Sequence, residues 1–229
     1  GITLAVFALV ATLSVRSGFR TEIVDTILGS NSHITLYKTL TKDQYGNIDR
    51  GFEDYNDVAS NLLSLPGIKR SAPLIRSQIM ATYDNRNIGL EVFGISYKNL
   101  LGLERIAKPE QYSGDINDFE NGISIGSGVA RELGVQVGDK IKLISPNGVR
   151  TAFGTSPRVK QFEIVYIFTA GRYDIDRTRS YLPFSIAQEY FNREGLADEI
   201  EVLLDNPSNL TEAISHIENI VDPNIQLWT

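Results

Sequence analysis

Residues Gly1–Val15 carry no charge and are mostly apolar; the first charge is Arg16. A helix needs about 20 apolar residues to cross a bilayer, so this stretch reads as the second part of a transmembrane helix. Phe19, Ile23 and Ile27 continue it at helical spacing to Gly29, a plausible C-cap, and residues 1–28 are assigned to the helix and its extension. Alternation then predicts a strand over Ser32–Lys38. Phe52, Tyr55, Ala59, Leu62 and Leu63 share one helical face within Phe52–Leu65, which Pro66-Gly67 ends. Strands are expected over Lys69–Tyr83 and Ile88–Ile95, with a turn at Asp84–Asn87, and Pro73 requires an edge or a break in the first of them.

Leu100–Gly122 is polar and irregular, a crossover. A short helix over Gly126–Leu133 stops at Gly134, and Gly138-Asp139 turns the chain into the strand Lys140–Ile144. Such a helix–Gly–Gly-Asp–strand segment is similar to one found in several small β-barrels. The return strand is Phe162–Phe168. Between the two lies Ser145–Gln161, read as a long loop because Pro146, Asn147, Gly148, Gly154, Ser156 and Pro157 punctuate it. Further on come a short strand over Ser180–Pro183, a helix from Ser185 to Asn192 and a strand over Asp198–Leu204. A helix from about Asn209 to Val221 and a last strand over Ile225–Trp228 complete the chain. Opening and closing segments thus both read strand–helix–strand. The expected class is α+β, one layer built from both ends of the chain (29–97 plus 197–229) with a β-rich lobe (98–196) inserted.

Charge changes the meaning of the long loop. The chain has a formal net charge of −6, yet Ser145–Gln161 holds Arg150, Arg158 and Lys160 and no acid, with Phe153 near its middle. Long loops without secondary structure are usually functional or disordered, and a basic loop with an apolar tip reads as a docking arm; the alternative is an idle surface connection. The acidic balance argues against nucleic acid. No cysteine is present, which rules out disulfides and thiolate chemistry. His33 and His216 are far apart and read as ordinary strand and helix residues. Gly126-Ser127-Gly128 lacks the third glycine of a dinucleotide fingerprint. Asp174 and Asp176 stand among Arg172, Arg177 and Arg179, a surface network rather than an acid–base pair. No catalytic, metal or cofactor site is expected.

Taken in order, LSVRSGFR, ILGSNSHITLY, GISIGSGVARELGVQVGDKIKLISPNG, TAFGTSPRVKQFEIVYIF and the terminal QLWT resemble the first periplasmic region of the lipoprotein-releasing ABC transporter permeases of the LolC/LolE type. The resemblance implies a MacB-like periplasmic core, with a split α+β lobe near the membrane (Porter-like) and an inserted β-rich lobe (Sabre-like). It also implies a bacterial inner-membrane permease whose domain lies in the periplasm. Such a permease extracts lipoproteins and hands them to the chaperone LolA, with ATP hydrolysed by a separate subunit, LolD, and with a LolE-like second permease or a copy of itself as companion. The absence of a G-x-x-x-x-G-K-[ST] motif fits that division. The family's hook hairpin would be Pro146–Pro157, and its basic surface falls on Lys142 and Lys160, with Val159 in a polar neighbour's place. The hook proline falls on Ala152, a departure that removes a fixed φ from the tip, while Phe153 keeps an apolar contact. Hook residues Pro146, Asn147, Gly148, Arg150, Ala152, Phe153, Gly154, Pro157 and Arg158 are the expected partner-binding set. Alternatives are a MacB-type efflux or cell-division permease domain, and a soluble β-barrel enzyme.

Overall fold

The computed structural model describes residues 3, 6, 7, 10–12, 14, 32–39, 41, 42, 48, 49, 51–151 and 154–229. The expected membrane helix and its extension lie largely outside these residues. Among the described residues, no helix is long and apolar enough to cross a membrane.

The strands are β1 (Ile34–Lys38), β2 (Thr41–Lys42), β3 (Ile48–Asp49), β4 (Ile68–Tyr83), β5 (Arg86–Ile95), β6 (Gln111–Gly114), β7 (Ile123–Gly126), β8 (Lys140–Thr151), β9 (Gly154–Thr169), β10 (Arg179–Pro183), β11 (Glu199–Leu204) and β12 (Ile225–Trp228). The helices are α1 (Tyr55–Leu63), α2 (Tyr97–Leu101), α3 (Glu104–Ala107), α4 (Ser127–Leu133), α5 (Tyr173–Thr178), α6 (Phe184–Phe191) and α7 (Leu210–Glu218). The fold is mixed α+β with strands dominant. Two expectations are corrected. Ser145–Gln161 is not a loop: β8 and β9 run through it as one antiparallel ribbon. Leu100–Gly122 is not irregular throughout, since it holds α3, β6 and a 3-10 turn over Ile116–Asn121.

Among the described residues, ten strands form one sheet, and part of it closes on itself. Strand β4 pairs with β5, β5 with β10, β10 with β7, β7 with β9, β9 with β8, and β8 again with β4 through Met80↔Ile144, Ala81↔Leu143 and Thr82↔Lys142. The result is a small barrel, with β5–β10 and β7–β9 parallel. Closure removes exposed strand edges. Its interior is filled by inward residues of each strand, among them Ala81, Leu90, Ile123, Ile141, Leu143 and Leu182, all 2% exposed or less. Helices α4 and α6 plug it with Val129, Leu133, Ala187 and Tyr190.

Local chemistry explains how the chain reaches this closure. Gly134 ends α4 at φ 72° and Gly138 turns the chain at φ 92°, left-handed values that favour glycine. The Asp139 carboxylate accepts from the Gln136 backbone N–H at 2.8 Å and fixes the turn into β8. The two glycines of Gly126-Ser127-Gly128 permit close packing: a Cβ on either would lie 2.3 Å or 2.7 Å from the Asp176 carbonyl of α5.

Strands β12, β1 and β11 extend β4 into a layer in the order β12-β1-β11-β4, built from both ends of the chain, while β6 pairs with β9 and β2 with β3. Helices α1 and α7 cover this layer, with Leu62 and Ile217 against Ile34, Leu36, Ile200 and Val202. Strand β4 serves both assemblies. Its first part pairs with β11 up to Leu74, and from Ile75 it pairs with β5. Pro73 falls just before this handover, where β4 pairs on one side only, the setting a strand proline requires.

Charges stitch the handover. Asp198 donates its N–H to the Leu74 carbonyl (2.8 Å), and its carboxylate accepts from the Arg76 N–H (3.0 Å). The Arg76 guanidinium donates to Glu91 at 2.7 and 2.9 Å and stands 3.7 Å from Glu199. Glu199 is 2% exposed and its Oε1 has no hydrogen-bond partner among the described residues. Burial pushes its carboxyl up to about 7, with Arg76 opposing and Glu201 adding to the shift. A carboxyl whose folded pKa exceeds its unfolded value holds a proton that the unfolded chain has lost. Stability from this group therefore falls as pH climbs from about 4.5 to about 7. Burial raises Asp198 in the same sense, whereas His33, lowered by burial and Arg70, acts oppositely. Glu199→Gln should remove the Glu199 part of the slope. Urea unfolding should show the variant gaining on the parent between pH 4 and pH 8, by an amount on the order of 3 kcal/mol; parallel pH profiles would refute this assignment.

Candidate functional site

The β8–β9 ribbon grows out of the barrel wall. Over Lys142–Ile144, β8 is held by β4 and β9 together; beyond Ser145 the two strands pair, among the described residues, only with each other. Between the pairs Ser145↔Arg158 and Val149↔Ser156, β8 has three residues, 146–148, where β9 has one, Pro157. This bulge is where Pro146 and Pro157 sit, and bulges tolerate residues that cannot donate to a ladder.

Side-chain alternation splits the ribbon root into two faces. Phe162 lies opposite Ile141, both buried, so Phe162, Lys160 and Arg158 form one row turned towards α6. Along it, the Phe162 ring meets Tyr190 edge-on at 5.6 Å, and Lys160 stands 5.6 Å from the Phe162 ring and 3.2 Å from Glu189. Arg158 donates through Nη1 to the carbonyls of Glu189 (2.7 Å) and Tyr190 (3.1 Å). Those are terminal carbonyls of α6, whose C-cap Asn192 is left-handed. A cation at a helix C-terminus satisfies orphan acceptors and complements the dipole. Tyr190 returns its hydroxyl to the Arg158 carbonyl at 3.2 Å, and burial pushes that phenol up to about 12, so it remains a donor.

The other face is apolar. Met80, Ile144 and Val159 stand side by side across β4, β8 and β9, with Met80 47% and Val159 56% exposed. Lys142 shares this face and is exposed, opposite Gln161 and Thr82. Next to it a groove of about 720 Å³ runs between the ribbon root and the outer face of β4–β5, lined by Gln78, Met80, Ile88, Ile144, Pro146 and Pro157. Gly89, opposite Met80, has nothing within 4 Å of where a Cβ would stand, which leaves the groove floor open.

The expected site residues therefore separate. Lys142 and Lys160 lie on opposite faces and do not make one basic surface; Arg158 and Lys160 are engaged with α6. Pro146 and Pro157 come together at the groove. Asn147, Gly148, Arg150 and Gly154 lie on the outer ribbon strands. Ala152 and Phe153 lie outside the described residues. Met80 and Ile144 were missed by sequence reasoning. Ile144 was legible as an outward position of β8, whereas Met80 depends on the β4–β8 closure, for which no local signal exists. Of the other candidates, His33 accepts from the Leu204 N–H at 3.0 Å. Asp174 pairs with Arg172 at 2.8 Å, which holds its carboxyl low against burial. Asp176 accepts from the Ala170 N–H at 2.7 Å.

Arg158→Ala should lower stability by about 1–2 kcal/mol, the worth of charge-assisted bonds to a helix end. It should also broaden or shift the amide resonances of Glu189–Asn192. Arg158→Lys should recover part of the loss. Unchanged denaturation midpoints would show that Arg158 does not hold the ribbon.

Comparison with known proteins fits this architecture. The model of the MacB-like periplasmic core domain matches residues 1–220. The chain is 29% identical over 217 residues to the lipoprotein-releasing system transmembrane protein LolC of Neisseria meningitidis, covering 91% of this chain and 49% of that protein. It is 27% identical over 215 residues to the LolE protein of Haemophilus influenzae, covering 90% and 49%. The chain thus spans about half the length of these curated relatives. Among solved structures, the fold is similar to the periplasmic region of MacB from Actinobacillus actinomycetemcomitans (TM-score 0.52, 12% identity, 90% of this chain and 91% of that one). It is equally similar to the extracellular domain of the transporter YknZ from Gram-positive bacteria (TM-score 0.52, 14% identity, 86% and 99%). A match over residues 1–220 shows that the chain belongs to the MacB-like periplasmic core domain family.

Proposed function

We propose that this domain is the periplasmic part of a LolC-type permease of the bacterial inner membrane, and that it hands lipoproteins to the chaperone LolA through the β8–β9 ribbon. The terminal layer would be the membrane-proximal lobe, and the barrel the distal lobe that presents the ribbon. ATP hydrolysis would belong to a LolD-type subunit, with a LolE-like permease or a second copy beside it. The observation that carries this reading is the ribbon itself, two strands that leave a closed barrel and, among the described residues, pair with nothing else beyond Ser145. The similarity to proteins named LolC and LolE favours it over a MacB-type efflux role.

Which side chains are already engaged within the fold supports a different chemistry for the contact. Arg158 and Lys160 serve the fold, so the partner meets the apolar face of Met80, Ile144 and Val159, with Lys142 at its rim. Apolar anchors carry most of an interface's affinity, and rim charges mostly set on-rate and register. Calorimetric titration of the 229-residue chain with LolA from the same cell tests this. Val159→Asp should weaken binding by at least about tenfold, the effect of a charge placed in an apolar anchor. Lys160→Ala should change it little, and deletion of residues 147–156 should abolish it. Parent-like binding after the deletion would move the interface off the ribbon. A larger loss from Lys160→Ala than from Val159→Asp would restore a basic contact.

A further inference from the structure

The groove of about 720 Å³ beside the ribbon root crosses four strands. It runs from Ile144 of β8 over Met80 of β4 and Gly89 of β5 to Thr178, the residue before β10. Three strand spacings of about 4.8 Å make it roughly 14 Å long. Met80 and Ile144 also belong to the exposed apolar face of the ribbon root, so groove and face are continuous. Among the described residues, the lining holds no lysine or arginine, and its one acid, Glu91, accepts twice from the Arg76 guanidinium. The Thr178 hydroxyl donates to the Asp174 carbonyl at 2.7 Å. Both polar groups are committed within the fold, and the walls that meet an occupant are mainly apolar.

Backbone pairing favours an aliphatic chain over a peptide. An extended peptide added to a sheet draws on unpaired main-chain groups of its host. Here β4 and β5 pair with each other along the floor, from Gln78↔Glu91 to Thr82↔Asn87, and Pro146 and Pro157 of the far wall have no N–H to give. An acyl chain has no polar group to satisfy and gains simply by leaving water. Gly89 widens the trough, since nothing lies within 4 Å of where its Cβ would stand, and the flexible thioether of Met80 adapts to what lies against it. On the function proposed above, the cargo itself carries acyl chains. We infer that this groove takes up an acyl chain of the lipoprotein during hand-off, an assignment that rests on that proposed function. The chain would then lie directly beside the face that meets the chaperone.

Met80 is the only methionine of the sequence, so isotope labelling of methionine methyl groups gives one resonance at the groove. The 229-residue chain is titrated with a soluble tetrapeptide bearing an N-dodecanoyl chain, below its micelle concentration. This peptide should shift the Met80 signal saturably, and the same peptide without the chain should not. Shortening the chain to decanoyl should weaken binding by about fourfold to tenfold, the effect of two methylenes partly or fully buried. Gly89→Leu puts a side chain into the open floor without a clash and should weaken binding by about tenfold or more. Should that variant fail to fold, Met80→Glu, at a position 47% exposed, is read by calorimetry and should lose binding likewise. No saturable shift, equal shifts from plain and acylated peptide, or equal affinity in parent and Gly89→Leu overturns the assignment. Tighter binding of a lysophosphatidylglycerol of equal chain length overturns it in favour of a membrane lipid. Titration of the parent with LolA keeps the two claims apart. Acyl binding without LolA binding refutes the docking reading alone, and LolA binding without acyl binding refutes the groove alone.

Discussion

Two donated bonds from Arg158 to the last carbonyls of α6, answered by the Tyr190 hydroxyl on Arg158's own carbonyl, join the ribbon root to the barrel's plug. Without that clasp, β9 would leave the barrel held only by β8, and a two-stranded ribbon is marginal in water. The clasp works because Arg158, Lys160 and Phe162 recur at every second residue and all meet one helix. Alternation then obliges Val159 to face outwards, beside Ile144 and Met80. Anchoring and the apolar outer face are thus two consequences of one register; a slip by a single residue would exchange them.

The chain's other joint uses charge, with Glu199 buried and its partners nearer the surface. Strand β4 is shared between the terminal layer and the barrel, and Arg76, Glu91, Asp198 and Glu199 surround the point where it changes partners. Apolar packing is non-directional, whereas these groups have fixed donors and acceptors, so they define how the two assemblies meet at a cost in desolvation. The raised Glu199 carboxyl is the mark of that cost.

Sequence reasoning reached what is local. Gly134, Gly138 and Asp139 announced the α4–β8 turn, Pro73 announced a half-paired strand, and periodicity found the terminal helices. It failed where pairing is distant or where breakers mislead. Pro146, Gly148, Gly154 and Pro157 read as a loop, but the bulge between Ser145 and Val149 admits the prolines and lets the ladder resume. Closure through Ala81↔Leu143 joins residues far apart in the chain, and only that closure puts Met80 beside Val159. Arg158 and Lys160 were legible as charges and not as structural groups, because α6 approaches them from a separate part of the sequence. The apolar half of the candidate surface was therefore hidden, and its basic residues divide between two faces of the ribbon.

Amide hydrogen exchange on the 229-residue chain, alone and with LolA, tests the docking face most directly. Slower exchange on complex formation is expected at Met80, Ile144 and Val159 and along the ribbon beyond them. Protection confined to the terminal layer, or to the α6 side around Glu189, would contradict docking through the apolar face of the ribbon.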